Sequence, residues 1–300
     1  MRVALLGFGL IGGSIARAIH ARVGDAWEIA AWSPSGQGPA RAMAGGEIAI
    51  AANDPAQALA GAELVVLAAP PVDCIRLLDE LHGDLRASLP TDAVVTDVAS
   101  TKRQIVHRAA ELDLRFVGGH PMAGTERSGY DAADPGLFVD RPWVICTDGA
   151  DDAAVLPVER LVSAVGARAL RMEAAAHDAA VAAISHLPLV VSAALVESVF
   201  GPGPGSVTDA AERATASDIA ATGWRDMTRL AKGDVAMAAG IASTNAEALG
   251  PRVRAMRDVL TSWLEELERP GGPRVNELSS RFREARRLAA GGDRDKGRDR

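Results

Sequence analysis

Only two of the 300 residues are cysteine, Cys74 and Cys146. Their number and spacing fit neither a disulfide framework nor a set of metal thiolates, which argues against a stapled secreted module and a zinc-ribbon fold. Both read as small core residues in a reduced compartment, and no metal site is expected. Aromatics make up 4% of the chain, with a single tyrosine, and 32 basic residues face 39 acidic ones for a net charge of −7. With no basic stripe interleaved with aromatics, nucleic acid is not an expected partner. Long apolar runs are scarce as well. Met1-Arg2 followed by Val3 to Ile15 has the outline of a signal peptide, but Gly7, Gly9, Gly12 and Gly13 interrupt it, and Arg17, His20 and Arg22 come at once after it. No other run reads as long and apolar enough to cross a bilayer. The expectation is a soluble, cytoplasmic protein with no membrane partner and no internal repeat.

The chain does hold enough apolar material, 48%, for substantial cores, with 24% charged residues to solvate the surface. The length suggests about two domains. Up to residue 146 short β-like runs alternate with helical patterns: Val3–Leu6, Trp27–Trp32, Leu64–Ala68, Val94–Thr96, Phe116–Val117 and Trp143–Cys146, with helices near 11–22, 71–87 and 101–112. Runs such as Leu64-Val65-Val66-Leu67 do not alternate, as befits strands covered on both faces. The pattern implies a mostly parallel sheet with crossover helices. Beyond residue 150 the texture becomes alanine-rich and helical, near 152–164, 174–200, 207–221 and 226–268, with Gly201-Pro202-Gly203-Pro204-Gly205 as a hinge or tight connection. These helices carry little charge, so they are expected to pack on one another and on a second copy of the chain, giving a homodimer.

Gly7-Phe8-Gly9-Leu10-Ile11-Gly12 comes directly after the first strand and opens the first helix, the context in which G-x-G-x-x-G signals a dinucleotide site. Gly7 permits the tight turn, Gly9 lets backbone approach a pyrophosphate, and Gly12 lets helix and strand pack closely. Leu10 and Ile11 then present helix N–H groups to the phosphates. The fold class is therefore an α/β Rossmann-type domain at 1–150, then an all-α dimerisation and substrate domain at 151–270. A C-terminal extension at 271–300 has an end, 291–300, expected to be disordered. At the end of the second strand, where NAD-preferring sites usually place a carboxylate, the chain has Ser33 and Ser35, with Arg41 nearby. NAD and NADP both remain open, with a slight lean to NADP. Ala69-Pro70 form a further strand-to-helix rim, either a cofactor wall or a simple turn.

Gly118-Gly119-His120-Pro121 sets a histidine at the end of an apolar run. Pro121 keeps His120 in extended backbone, at a strand end where α/β ligands sit. A proton acceptor there, next to flexible glycines, suits an enzyme. In Asp97-Val98-Ala99-Ser100-Thr101-Lys102, Thr101 and Gln104 have capping-box spacing, while Ser100 is placed to orient a reacting hydroxyl.

Together these motifs resemble the prephenate dehydrogenase family, including arogenate and cyclohexadienyl dehydrogenases. The carrying stretches are Gly7–Ser14, Asp97–Lys102, Gly119–Glu126, His177-Asp178 with Ser185–Pro188, and Trp224–Ala231. The resemblance implies oxidative decarboxylation of prephenate to 4-hydroxyphenylpyruvate and carbon dioxide with NAD or NADP; the alternative is arogenate, giving tyrosine. It makes His120 the acceptor of the 4-hydroxyl proton, Ser100 its orienting partner, and Arg229 the anchor of a substrate carboxylate, with Thr125 and His186 also at the substrate. Glu126 and Asp226 flank Arg229 in matching motifs and are expected to form an ionic cluster with it. Two departures stand out: the family's His-Leu-Pro-His reads His186-Leu187-Pro188-Leu189, and its Asp-Pro-x-Met-Trp reads Asp234-Val235-Ala236-Met237-Ala238. His177 and His186, nine residues apart, lie about 180° apart on a continuous helix, so only one should reach the site unless Pro188 distorts it. The length leads to the expectation of a monofunctional enzyme without a regulatory domain or a chorismate mutase segment. Competing readings are a 3-hydroxy acid dehydrogenase using Lys232, and a non-catalytic cofactor-binding protein.

Overall fold

A computed structural model describes residues 1–294 apart from 126, 203–205 and 208. The chain runs β1 (Arg2–Leu6), α1 (Leu10–Val23), β2 (Glu28–Trp32), α2 (Gln37–Ala44), β3 (Ile50–Ala51), α3 (Pro55–Leu59), β4 (Leu64–Leu67) and α4 (Pro71–His82). It continues through β5 (Val94–Asp97), α5 (Arg103–Glu111), β6 (Phe116–Pro121), β7 (Pro142–Cys146), α6 (Asp152–Ala164) and β8 (Arg168–Met172). The strands form one sheet in the order β3-β2-β1-β4-β5-β6-β7-β8. Pairing is parallel from β3 to β6; β7 runs antiparallel to β6, and β8 is parallel to β7. Strand order reverses between β1 and β4, the place where such sheets open a crevice for a dinucleotide.

Strand alternation sends Val3, Leu5, Leu64 and Val66 to one apolar layer and Ala4, Leu6, Val65 and Leu67 to the other, all fully buried. That double covering explains the unbroken apolar runs in β1 and β4. Truncating Leu5 or Leu6 to alanine would cost about 2–5 kcal/mol through lost burial and the cavity left.

Beyond the sheet lie α7 (Ala174–Val181), a π segment (Ala182–His186), α8 (Leu187–Phe200), α9 (Ala210–Asp218), α10 (Thr222–Thr228), α11 (Val235–Thr244), α12 (Ala246–Leu267) and α13 (Val275–Arg294). Two compact units result, Met1–Leu249 and Gly250–Arg300. In the second, Glu266 accepts from Arg269 at 2.6 Å and from the Arg274 backbone at 2.8 Å, and Trp263 meets Phe282 at 5.0 Å.

Several expectations change. The continuous helix expected at 226–268 is broken because Gly233-Asp234 interrupts it: the Asp234 carboxylate accepts the Met237 N–H at 2.7 Å and starts a new helix. The short strands at Ile50–Ala51 and Arg168–Met172 and the helices α2 and α3 were not foreseen; β8 carries the sheet past residue 150. Residues 291–294 continue α13, while the rest of the tail expected to be disordered, like Gly203–Gly205 of the expected hinge, lies outside the described residues. Finally, Ala174–Phe200 forms a 27-residue helix that is long and apolar enough to cross a membrane by length and composition. The lone charges and histidines had masked it as a run; in the structure His177, Asp178 and His186 are buried and bonded to α5, β6 and the α11–α12 junction.

Candidate active site

The β1–α1 turn forms as its glycines dictate. Gly7 adopts φ +103°, and a side chain there would run into the Ala68 carbonyl. A Cβ at Gly12 would stand 2.5 Å from the Gly7 carbonyl. Gly9 faces open space, and as N-cap of α1 it offers no side-chain cap to the first N–H groups. Close packing behind and an open cradle in front suit a pyrophosphate on the α1 N-terminus.

In front of that turn lies a cavity of about 690 Å³, a size usual for small-molecule sites. Its walls include Gly9, Leu10 and Ile11; Ala68, Ala69 and Pro70 after β4; Val98 and Ser100 after β5; and His120 of β6. Thr125, Arg127, Ser185, Leu189, Arg229, Asp234, Met237 and Ala238 close the other side. Both departures from the family pattern thus reach the cavity, through Leu189 and through Asp234, Met237 and Ala238.

His120 is held by its surroundings on β6. Asp97, at the end of β5, accepts the Gly119 N–H and the Ala99 N–H, each at 3.0 Å, and is paired with the Lys102 ammonium; both side chains are fully buried. Gly118 and Gly119 are not a flexible flank, as the sequence suggested. A Cβ at Gly119 would stand 2.5 Å from the Asp97 carbonyl, so glycine is required by the close approach of two strands. His120 Nδ1 lies 2.8 Å from His177 Nε2, and His177 Nδ1 lies 2.8 Å from Asp178 Oδ1. Burial pushes the His120 imidazole well below its ordinary value, and His177, Lys102 and His186 push the same way. At neutral pH it is an uncharged base facing a cavity.

The expected Thr101–Gln104 capping box is not made. Thr101 bonds to Thr244 at 2.8 Å, and the α5 N-terminus is capped from a distance: Asp178 takes the Lys102 and Arg103 N–H groups at 2.8 and 2.9 Å. Burial alone would raise the Asp178 carboxyl, but bonds from His177 and these backbone groups hold it below the usual carboxylate range. The π segment lies just before Pro188, whose missing N–H cannot serve the Ile184 carbonyl. One residue inserted in a helix rotates every later residue by about 100°, so His177 and His186 do join one cluster. His186 Nδ1 accepts from Asn245 at 3.0 Å, and the same amide donates to the Asp178 carbonyl at 2.9 Å. Burial lowers the His186 imidazole to about 4.

Of the residues singled out from sequence, Gly9, Leu10, Ile11, Ala69, Pro70, Ser100, His120, Thr125 and Arg229 line the cavity, and Gly7 and Gly12 shape the turn behind it. His186 is 1% exposed and does not line it; Ser33 is buried outside it with its hydroxyl unpartnered. Asp226 and Lys232 are exposed and off the cavity wall, and Glu126 lies outside the described residues. Arg127 and Asn245 were missed. Arg127 stands two residues beyond Thr125, whose hydroxyl accepts its N–H at 3.2 Å; Asn245 carried no sequence signal.

The family model for the nucleotide-binding domain of prephenate dehydrogenase matches residues 16–171, and that for its dimerization domain matches 173–278. The chain belongs to the prephenate dehydrogenase family. It is 31% identical over 272 residues to prephenate dehydrogenase of Bacillus subtilis, covering 89% of this chain and 68% of that one. Arogenate dehydrogenase of Synechocystis superposes with a TM-score of 0.72 at 30% identity, over 99% of both chains. Prephenate dehydrogenase of Aquifex aeolicus, solved with hydroxyphenyl propionate and NAD+, superposes with a TM-score of 0.75 at 26% identity, over 99% of this chain and 97% of that one. This prephenate dehydrogenase family member is thus an NAD(P)-linked oxidoreductase of tyrosine biosynthesis, with a nucleotide-binding domain followed by a dimerization domain.

Proposed function

We propose that the enzyme decarboxylates prephenate oxidatively to 4-hydroxyphenylpyruvate. The observation that carries this reading is the cavity wall itself. It brings together His120 as an uncharged base, Ser100, the dinucleotide turn and two arginines, Arg127 and Arg229. Prephenate carries two carboxylates, and guanidinium forks match carboxylates bidentately. The two arginines suit the carboxylates of prephenate; arogenate carries the same two, with an ammonium in place of the keto oxygen, and the rate grid below separates the substrates.

Gly9, Leu10 and Ile11 hold the pyrophosphate, with Ala69 and Pro70 as the facing wall. Bound there, the nicotinamide supplies a hydride acceptor for the hydrogen on the ring carbon bearing the 4-hydroxyl. Ser100 and His120 hold the 4-hydroxyl, and His120 takes its proton as the carbon is oxidised. Loss of the ring carboxylate as carbon dioxide returns electrons to the ring oxygen, which takes the proton back from His120 as a phenol. No net proton leaves, so His120 acts in turn as base and acid. Arg229 anchors one carboxylate, and Thr125 and Arg127 complete that wall. An ionic cluster of Glu126 and Asp226 with Arg229 remains part of the reading, and His186 supports the site from behind the wall.

We infer that both dinucleotides are accepted. No carboxylate at the end of β2 repels a 2′-phosphate, and the buried Ser33 hydroxyl is unpartnered. Arg41 is paired with Asp131 at 2.5 Å, but both are largely exposed, and solvent screening keeps such a pair weak. The assembly is a homodimer: α8 is strongly apolar yet buries only Ser192, and it lies in the stretch matched by the dimerization model. The cytoplasm is the expected location.

The test is a grid of initial rates from the absorbance of reduced nicotinamide, prephenate and arogenate each with NAD and NADP. Expected are turnover of prephenate and dinucleotide preferences within about tenfold, a difference of about 1.4 kcal/mol. Turnover of arogenate alone would overturn the substrate, and no turnover from folded, dinucleotide-binding protein would overturn the reaction.

A further inference from the structure

Behind His120 the structure holds two buried groups that the reaction itself does not touch. His177 and Asp178 are 1% and 2% exposed, and neither lines the cavity. They stand in line with it: Asp178 Oδ1 to His177 Nδ1 at 2.8 Å, His177 Nε2 to His120 Nδ1 at 2.8 Å, the two rings crossing at 80°. We propose that His177 and Asp178 are positioning residues that fix the proton of His120 on Nδ1, leaving Nε2 as the bare nitrogen offered to the cavity.

The reason lies in the donors and acceptors. Asp178 receives the Lys102 N–H on Oδ1 and the Arg103 N–H on Oδ2, so both oxygens act as acceptors, as a carboxylate's must. His177 Nδ1 therefore donates. With His177 neutral, as the proposal requires, Nε2 presents only a lone pair to His120, whose Nδ1 has to be the donor. The opposite arrangement, a doubly protonated His177, would drive the His120 proton to Nε2 and leave nothing there to accept a hydroxyl proton. The other groups facing His120 do not undo this order. The Lys102 ammonium, just before α5, is paired with Asp97, and His186 of the π segment accepts from Asn245.

The same line of groups sets where charge goes. When His120 Nε2 takes the hydroxyl proton, the Nδ1–H bond to His177 strengthens against the carboxylate behind it, and when the phenol forms the proton leaves Nε2 again. No atom is consumed, and His177 and Asp178 end as they began. The capping of α5 by the same carboxylate ties the register of this line to the loop that carries Ser100, so the histidine and the serine are set by one group.

The inference rests on His120 as the base of the proposed reaction, and its test separates the two. In full-length protein labelled with nitrogen-15 at histidine, long-range proton–nitrogen spectra assign the tautomer of each ring, with the His120 signals identified by their loss in H120N. This arm needs no substrate. Expected is the Nδ1–H tautomer for His120; the Nε2–H tautomer, or a doubly protonated His177, overturns the proposal even if turnover is normal. In the kinetic arm, His177→Phe keeps a ring but removes the acceptor, and His177→Gln returns an acceptor oxygen. Expected is a fall in kcat of about 10–100-fold for H177F, the usual cost of removing a hydrogen-bond partner that orients a functional histidine from behind, with KM and dinucleotide Kd within about twofold. H177Q should recover kcat to within a few-fold, together with the His120 tautomer. An H177F enzyme with unchanged kcat, or an H177Q enzyme as slow as H177F while folded, overturns it. Should H177F fail to fold, the wild-type spectrum and H177Q decide. Absence of turnover in wild type with a correct tautomer counts against the reaction and leaves the positioning intact.

Discussion

Replacing Lys102 by methionine removes one half of a fully buried ion pair and leaves the Asp97 carboxylate among apolar neighbours with two backbone N–H groups, those of Gly119 and Ala99. Breaking a buried pair by removing one partner costs about 3–5 kcal/mol, mostly the penalty of the stranded charge. The same charge gives the pH dependence its sign. Burial already pushes the Asp97 carboxyl up, and Lys102 is the largest influence opposing it. Without the ammonium, the folded carboxyl titrates well above its unfolded value of about 3.9, so the folded state holds a proton the unfolded state has released. Stability of the variant therefore rises as pH falls through the folded value toward the unfolded one, and its deficit against wild type shrinks. Urea unfolding at fixed protein concentration, followed by tryptophan fluorescence, reads both quantities. Expected are the full deficit at neutral pH and a clearly smaller one near pH 5. The double variant D97N/K102M should be more stable than K102M at neutral pH, because the stranded charge is gone while the amide oxygen still accepts one of the two backbone N–H groups. A deficit below about 1 kcal/mol, or one equal at both pH values, would refute the reasoning.

His120→Asn should lower kcat by about 10²–10⁴-fold, the usual share of a general base, while dinucleotide affinity by fluorescence titration stays unchanged. Arg229→Lys should raise the KM for prephenate by about 10–100-fold with little change in kcat, since a point charge replaces a fork; equal KM values would remove Arg229 from the carboxylate site. Gly9→Ala should fold normally, because its Cβ meets open space, yet weaken dinucleotide binding, whereas Gly7→Ala should lower Tm through its φ of +103° and the Ala68 carbonyl. Calorimetry with and without NAD distinguishes the two. Because the His120 base is held well below its ordinary value, the acid limb of kcat/KM should fall below pH 6.5, activity persisting until protonation of the free enzyme begins. A limb at or above that pH would contradict an uncharged, buried base.

Much of the fold is local in origin and could be read directly. The unbroken apolar runs of β1 and β4, the glycines of the first turn, and the proline after His120 each act through neighbours in sequence, by burial pattern, φ requirement or steric exclusion. The membership of Gly9, Ser100, His120 and Arg229 in one cavity wall was likewise expected, through motifs rather than through any single residue. The errors share a cause. The stretch 226–268 keeps helical composition throughout, and only the Asp234 cap divides it. β8 is exposed along most of its length and has no apolar signature; its partner β7 decides it. Thr101 has a capping sequence, yet Thr244 and Asp178 outcompete it from far along the chain.

By itself the sequence determined the sheet domain, the dinucleotide turn and the extended backbone at His120, because those depend on contacts within a few residues and on what glycine and proline permit. Tertiary structure alone decided how His120 is backed. The π segment before Pro188 rotates His186 into the cluster, Asn245 and Asp178 lock it, and the Asp97–Lys102 pair fixes β6 against β5. These are bonds between groups far apart in the chain. Their strength comes from shared burial, which no stretch of sequence can state alone.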